Sequence, residues 1–495
     1  MIAPVRNGVI RVDHPEERHQ VNWPGAWANV SIRALLAALV LVGASCSPKQ
    51  LTVAPPVTMP SQFSASGNSP LSDRWWQSLE DSTLNMLVER ALENNLTFRT
   101  AWDRLAQAEA IARREKASLV PTLNLSASAE GTEQRAENGG GSMDFPLGLA
   151  SSYELDLWGR IRASRDAVAF DARATGEDLR TAAITLSAQV ATTWYRLVQQ
   201  YGQIELLEHQ LRSNEEVLEL VTLRFRQGQT KAEDVLQQRQ IVESRRGEIA
   251  RARSSATVLH HQLAILLGQI PTANVVEPST HLVRLPPLPA TGVPAELLQR
   301  RPDTRRAYYE VLAADRRVAA AVAERFPKIG ITAQASTSGG EVRSLFDNWL
   351  ASLAGSLTMP LIDGGRRRAE VERTRAVVSA SLHAYGQVVL NALTEVEDAL
   401  AQEQRQAEYI ASLERQLELA AGVIERSKDN YMKGITDYIR VLNAQQTYQE
   451  LERTYLDARA TQIETRIALY RALSGGWAMT RPEESQLSIG QRTGL

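Results

Sequence analysis

The feature that most constrains this chain is that it repeats itself. Leu119-Val120-Pro121-Thr122-Leu123 matches Arg325-Phe326-Pro327-Lys328-Ile329. Leu155-Asp156-Leu157-Trp158-Gly159-Arg160 matches Leu361-Ile362-Asp363-Gly364-Gly365-Arg366. Arg224-Phe225-Arg226-Gln227-Gly228 matches Asn430-Tyr431-Met432-Lys433-Gly434. Every pair is separated by 206 residues, and Leu236 and Leu442 keep that register. Ungapped agreement at one spacing marks a tandem duplication. The copies run over 83–268 and 289–474, with a linker at 269–288 that overlaps the Pro-rich stretch Pro271 to Pro294 and a tail at 475–495.

Proline placement separates helix from non-helix within each copy. None lies between Pro146 and Pro271 or between Pro360 and Pro482, and a proline inside a helix costs ~3 kcal/mol. Val190, Leu197, Ile204, Leu211, Leu218 and Phe225 recur every seven residues. The second copy gives Val396, Glu403, Ile410, Leu417, Ile424 and Tyr431, with one charged interruption. That spacing is a coiled-coil seam. The tract from Arg160 to Gln227 holds 68 residues, enough for ~100 Å of helix at 1.5 Å per residue. The helical stretches are expected over 160–268 and 366–474.

Short alternating segments precede each long helix. Thr122 to Ser128 alternates, as does Leu149 to Leu157, where Leu149, Tyr153, Leu155 and Leu157 share one face and Ser152, Glu154 and Asp156 the other. The second copy gives Ile329, Ile331, Ala333 and Ala335, then Leu353, Gly355, Leu357, Met359 and Leu361. Each segment has about 9–11 residues, the length of a tilted outer-membrane strand. The two hairpins, 121–158 and 327–363, enclose polar loops at Gly131 to Asp144 and Ser336 to Asn348. Four strands cannot close a barrel in lipid, because open edges leave backbone groups unpaired in hydrocarbon. If the chain spans a membrane this way, several copies must share one barrel.

The rest of the chain narrows the class. Lys+Arg is 55 against 57 Asp+Glu, a net charge of −2 that lacks the basic excess of a nucleic-acid binder. The chain has no GxxxxGK[ST], HExxH or GxSxG, so no enzyme constellation competes. The seven histidines are scattered, and no cofactor or metal site is expected. Only Ala34 to Ala44 is apolar enough for a membrane-helix reading, and it is short for a span, which excludes a multi-span helical transporter. After Arg33 and before small residues it reads as an export signal, so residues 1–45 are expected to be removed. Gly43-Ala44-Ser45-Cys46 resembles a bacterial lipobox, with Gly43 where an aliphatic residue is usual, and makes the single cysteine, Cys46, the expected acylation site. Residues 46–82 would then form an acylated N-terminal segment.

Tyr153-x-Leu155-x-Leu157-Trp158-Gly159-Arg160, Asp166-Ala167, Arg301-Pro302-Asp303, Phe326-Pro327-x-Ile329, Phe225-x-x-Gly228 and Tyr431-x-x-Gly434 occur in this order across the repeat. The set resembles the TolC/OprM-type outer-membrane factors, in the lipoprotein branch that includes NodT-like proteins. The resemblance implies a mixed α and β fold. A homotrimer shares a transmembrane β-barrel, four strands per protomer and 12 in all, continued by a long periplasmic α-helical barrel. It implies a passive exit duct in the outer membrane, lipid-anchored at Cys46. The duct would dock a periplasmic adaptor and an inner-membrane pump of the resistance-nodulation-division class and expel small toxic compounds or drugs. A type I secretion duct or a metal-efflux duct of the same fold is the alternative cargo reading. A periplasmic coiled-coil adaptor is the more distant one, and it leaves the four strands unexplained.

Two groups of residues are singled out. Trp158, Gly159 and Arg160, with Gly364, Gly365 and Arg366, form the strand-to-helix corners, and Trp158 suits a membrane interface. Arg366-Arg367-Arg368 is expected as a solvated helix start. Gly228 and Gly434 should break the long helices, since glycine tolerates φ > 0. By resemblance, Arg224, Phe225, Arg226, Tyr431 and Lys433 flank an adaptor-facing, gating tip. Ile439 matches a constricting apolar position, and Asn443 stands where many relatives carry Asp.

Overall fold

The computed structural model describes residues 53–133, 141–271, 276–344 and 346–481. The leader 1–45, Cys46, Gly139 and Gly140, part of the linker and the tail beyond Arg481 lie outside the described residues. The elements follow the duplication. The first copy holds α1 (Ser82–Asn94), α2 (Leu96–Ala117), β1 (Thr122–Ala127), β2 (Glu130–Glu133), β3 (Gly141–Asp144), β4 (Leu147–Leu155), α3 (Arg160–Arg226) and α4 (Ala232–Leu266). The second holds α5 (Pro302–Ala323), β5 (Lys328–Thr337), β6 (Trp349–Thr358), α6 (Arg366–Met432) and α7 (Tyr438–Leu473).

Two details differ from expectation. The polar loop Gly131 to Asp144 carries an extra antiparallel hairpin, in which Glu130 pairs with Asp144 and Glu133 with Gly141. The last strand runs Trp349–Thr358, so Met359 and Leu361 fall outside it. Pro360 explains the stop, since it has no N–H for a ladder bond.

Helices α3 and α6 have 67 residues each, so each extends ~100 Å. In the row of long helices α4 packs on α3, α3 on α7 and α7 on α6. This order places α4 and α6 at the two ends. Helices α1, α2 and α5 pack across α3 and give the row its thick middle. The largest core sits there, around Trp75, Trp76, Trp194, Tyr195 and Tyr470. Asp81 organises it: its Oδ1 accepts the N–H groups of Thr83 and Leu84 at 2.9 and 3.0 Å and caps α1, while its Oδ2 accepts Trp194 Nε1–H at 2.8 Å. Burial pushes the neighbouring Tyr195 phenol up, with Asp81 adding to the effect.

The Arg301-Pro302-Asp303 motif is a second organiser. Pro302 opens α5, where a missing N–H costs nothing. Arg301 is 7% exposed and holds three elements. It forks onto Asp303 at 3.0 and 2.6 Å, reaches Glu395 of α6 at 2.9 Å and donates to the Ala472 carbonyl of α7 at 3.0 Å.

The charged interruption in the second seam is also explained. Glu403 is buried and accepts Arg466 Nη2–H at 2.5 Å, and Arg466 Nη1 donates to the linker carbonyl of Pro286 at 2.6 Å. At Leu197, the matching position in the first copy, the seam is apolar and fully buried.

Candidate functional site: an amphipathic sheet and a helical tip

The four long strands form one antiparallel sheet, β1-β4-β5-β6. Its register aligns side chains of one kind on each face. Leu125 lies opposite Leu149, which lies opposite Ala335, which lies opposite Ala351. Leu123, Ser151, Ala333 and Leu353 align one step along, Tyr153, Ile331 and Gly355 two steps, and Leu155, Ile329 and Leu357 three. On the other face Asn124, Ala150, Gln334 and Ser352 align, as do Thr122, Ser152, Thr332 and Ala354. Hydroxyls on that face pair, as in Thr122 with Ser152 at 2.8 Å. Neither face is covered: Leu125 and Leu353 on the apolar face are 72% and 77% exposed, and Asn124, Ser152 and Ser352 on the polar face are exposed too. An apolar face open over a whole sheet suits lipid, and a hydroxyl-rich face suits water. The outer strands β1 and β6 each keep one unpaired edge among the described residues.

The corners turn the chain sharply from strand to helix. Gly159 has φ +73 and Gly365 φ +85, values a Cβ disfavours. A carboxylate caps the helix at each. Asp156 accepts the N–H groups of Ile161 and Arg162 at 3.0 and 2.9 Å. Asp363 accepts the Gly365 N–H at 3.1 Å and the Arg367 N–H at 3.3 Å. The second acid sits one position later in the repeat register, and Gly364, with φ +64 where the first copy has Trp158, accommodates the shift. Arg160 grips Glu154 in a fork, Nη2 donating to Oε2 at 2.9 Å and Nε to Oε1 at 3.2 Å. Of the arginine run, Arg367 pairs with Asp363 and Arg368 with Glu372; Arg366 is exposed. Trp158 is 39% exposed, but its Nε1–H donates to the Pro327 carbonyl at 2.8 Å and its ring stacks on Phe326 at 4.9 Å. It therefore ties the end of one copy's sheet to the start of the other's.

At the opposite end, Gly228 and Gly434 terminate α3 and α6 with φ +74 and +71. The same two bonds close both turns. Gln229 N–H reaches the Arg224 carbonyl at 2.9 Å, and Ile435 N–H the Asn430 carbonyl at 2.8 Å. With the Gly228 N–H on the Phe225 carbonyl at 2.9 Å and the Gly434 N–H on the Tyr431 carbonyl at 3.1 Å, this is the 6→1, 5→2 pair that glycine permits at a helix end. The structure brings Arg224 and Tyr431 together, the guanidinium lying 4.5 Å from the ring centroid. Tyr431 also leans on Tyr438, 5.8 Å away, inside a small cluster with Val221, Val235 and Leu442. Lys433 pairs with Asp429. Phe225, Ile439 and Asn443 are exposed, and none joins that cluster. Ile439 and Asn443 lie one turn apart on the same face of α7.

Sequence reasoning missed a buried polar seam between the hairpins. Gln210 and Asn214 of α3, Gln238 and Arg245 of α4, and Gln445 and Gln449 of α7 are all under 9% exposed. Tyr438 donates to Gln238 at 2.6 Å, Gln238 to the Asn214 carbonyl at 2.7 Å, and Asn214 to Gln449 at 3.2 Å. Gln210 reaches the Gln449 carbonyl at 3.0 Å and Arg453 donates to Gln210 at 2.7 Å. A signal existed: Asn214 stands between Leu207 and Val221 in the stripe three residues after the apolar seam. Beside it lies a cavity of about 220 Å³ lined by His209, Ile424, Lys428 and Tyr448. Among the described residues no group of three or more His, Cys, Asp or Glu is placed to hold a metal ion.

These features can be set beside known proteins. The profile of a family described as "Outer membrane efflux protein" matches residues 87–269 and 293–475. The chain is 29% identical over 453 residues to the cation efflux system protein CusC of Escherichia coli, covering 89% of this chain and 97% of that one. It is 30% identical over 461 residues to the outer membrane protein OprJ of Pseudomonas aeruginosa, covering 90% and 96%. Its fold is similar to that of the outer-membrane channel OprN, with a TM-score of 0.81 at 27% identity over 87% of this chain and 99% of that one. The open state of the Neisseria gonorrhoeae outer membrane channel MtrE gives 0.77 at 26% identity, over 87% and 98%.

Proposed function

Because this chain belongs to the outer membrane efflux protein family, we propose that three copies close one barrel, four strands from each and twelve in all, and that the helical tunnel below it receives small toxic compounds from a periplasmic adaptor and an inner-membrane pump. The chain is an outer-membrane efflux channel. It drives nothing itself; it supplies a path. The observation that carries the trimeric reading is the sheet, amphipathic in register across all four strands and open at β1 and β6. Pairing β6 of one copy with β1 of the next satisfies both edges. Helix α6 supports the same arrangement. Contrary to the expectation that only Ala34 to Ala44 is apolar enough for a membrane-helix reading, it carries an 18-residue stretch apolar enough to cross a membrane, of which only 22% is buried in one protomer. At the end of the row, a neighbouring copy's α4 is the natural cover.

Metal cargo is the second reading, favoured by the similarity to a cation efflux protein. A passive duct need not bind its cargo, so the two readings share one structure. Drug and metal-ion susceptibility of a strain lacking the gene separates them.

The test of the channel reading is the mass of detergent-solubilised protein, expected near three protomers, together with conductance in planar bilayers. Leu353→Arg, on the open apolar face, should cost ~2–4 kcal/mol and block assembly in membranes, whereas Ser352→Arg on the polar face should be tolerated. Equal effects would reverse the assignment of the faces.

Acylation of Cys46 belongs to the same reading. The segment after it runs along α6: Val53 and Met59 pack near Tyr385 and Val389, and Phe63 is buried beside Val396 and Leu400. A Cβ on Gly386 would meet Pro56 at 2.8 Å, so the groove fits this strap closely. Tyr385 lies 19 residues into α6, ~29 Å from the corner at 1.5 Å per residue. The seven residues from Cys46 to Val53 span at most ~23–25 Å, so an acyl chain on Cys46 would cover the last few ångströms to the corner. Mass spectrometry of the mature N-terminus should find acylated Cys46, and a free thiol there would remove the anchor.

A further inference from the structure

Beside the row of long helices, a second contact belongs to the repeat. Helix α5 lies between α3 and α6 and packs on both, while α2, its counterpart 206 residues earlier, packs on α3. The α5–α6 contact is therefore the repeat of α2–α3. The α5–α3 contact has no repeat inside the chain; its copy is α2 of one protomer against α6 of the next. The half seen within the protomer is ionic. Asp171, Glu177 and Asp178 of α3 meet Arg317, Arg305 and Arg306 of α5, with Arg305 at 2.7 Å from the buried Glu177 and Arg306 at 2.9 Å from Asp178. At the matching positions α6 holds Val377, His383 and Ala384, and α2 holds Ile111, Arg99 and Thr100.

Both partners have changed together. Asp171 with Arg317 becomes Val377 with Ile111, an apolar pair, and Asp178 with Arg306 becomes Ala384 with Thr100, a neutral one. Contacts within the protomer do not demand this. Val377 and Ile111 are 39% and 38% exposed, and Ala384 and Thr100 are exposed too. Surfaces that meet do demand it, because an arginine kept opposite Val377 would lose its water and gain no counter-charge. At the third position the carboxylate becomes His383 while Arg99 keeps its charge, and a neutral imidazole can accept a hydrogen bond from a guanidinium.

Resting on the trimeric reading above, we propose that α2 of each protomer docks on α6 of the next, and that the exchange of ion pairs for neutral pairs is a code that tells two equivalent surfaces apart. Helices α2 and α5 are copies of one helix, and the faces of α3 and α6 are copies of one surface, so an assembling ring offers each helix two places to lie. Laid on α3 in place of α5, α2 leaves Asp171 and Asp178 facing Ile111 and Thr100. Laid on a neighbour's α6, α5 sets Arg317 and Arg306 against Val377 and Ala384. Each wrong docking strands charges, which is how similar partners are kept apart. With one docking allowed, every protomer meets the next in the same way, as a closed ring requires.

Two sets of variants test this. In a Cys46→Ala background, oxidised Val377→Cys with Ile111→Cys should link chains into dimers and trimers on non-reducing gels, whereas Asp171→Cys with Arg317→Cys should link only within a chain. The code is read from a mutant cycle. Val377→Asp and Ile111→Arg should each lower the temperature at which solubilised trimers dissociate by several degrees. Together they rebuild the inner ion pair at the outer seam and should recover most of that loss, whereas Val377→Asp with Ile111→Asp should recover none. Intact trimers by mass without the link between 111 and 377 overturn the docking. The link without recovery in the charge-pair variant overturns the code. A folded monomer by mass removes the trimeric reading itself, and this proposal with it.

Discussion

Helices α3 and α6 begin on left-handed glycines, end at left-handed glycines and share one repeat register, yet α3 buries 22 residues and α6 only 12. Apolar content does not explain the difference, since α6 displays Leu390, Tyr409, Leu419 and Val423 to solvent. Position does. Helix α3 lies inside the row, and α6 ends it. Two copies of one design therefore differ in burial because only one has its neighbours within the chain. The contrast sharpens at a pair of equivalent positions. His260 of α4 and Arg466 of α7 are 206 residues apart, and both are buried. His260 meets Tyr201 at 3.1 Å, whereas Arg466 holds Glu403 and the linker.

The largest expected effect tests that pair. Arg466→Ala leaves Glu403 buried without a partner and should destabilise by about 3–5 kcal/mol in chemical denaturation of the solubilised protein. Adding Glu403→Leu and Ala407→Tyr, with His rather than Ala at position 466, imposes the first copy's Leu197, Tyr201 and His260 on the second and should recover most of the loss. No recovery would mean that the Pro286 carbonyl, rather than Glu403, is what Arg466 chiefly serves.

The tip offers a way to break the contrast, because there the copies should behave alike. Neither Gly228 nor Gly434 has any atom within 4 Å of an added Cβ, so only the left-handed backbone opposes a side chain. Gly228→Ala and Gly434→Ala should each cost about 1–2 kcal/mol, read from the thermal melting of helical circular dichroism. Clearly unequal losses would show that the two turns are not equivalent in the assembly.

The smallest effect is a pH dependence confined to the first copy. Burial lowers the His260 pKa below its ordinary 6.5, and His261 adds to the shift. The unfolded chain therefore takes up the proton first, so stability is complete above the unfolded pKa and falls as pH drops through it. The slope is at most about 1.4 kcal/mol per pH unit for one proton. His260→Gln should flatten that part of the profile between about pH 7 and pH 5.5, and an unchanged slope would assign it to another group.

Much of this architecture was legible in the residues because it rests on periodicity. Alternation at Leu149 to Leu155 and Ile329 to Ala335 gave both faces of the sheet, and Pro-free tracts gave the two long helices. What periodicity does not encode was missed. The β2–β3 hairpin, with Glu130-Gly131-Thr132-Glu133, has no apolar alternation to announce it. The strap from Val53 to Phe63 has no helix or strand and is covered at Phe63, and half-covered at Val53 and Met59, only by tertiary partners. The amide seam escaped because a heptad reading counts apolar residues and passes over Asn214. At the tip, Arg224 and Tyr431 were found together, while Phe225, Ile439 and Asn443 face outward, where only other chains can give them contacts.

The unpaired edges of β1 and β6 bear on how the protein is made. A lone protomer offers the bilayer two strands of unsatisfied amides, and offers its own kind two adhesive borders. It can neither insert by itself nor safely wait in water. On the trimeric reading, delivery to the membrane and closure of the ring would then be one event.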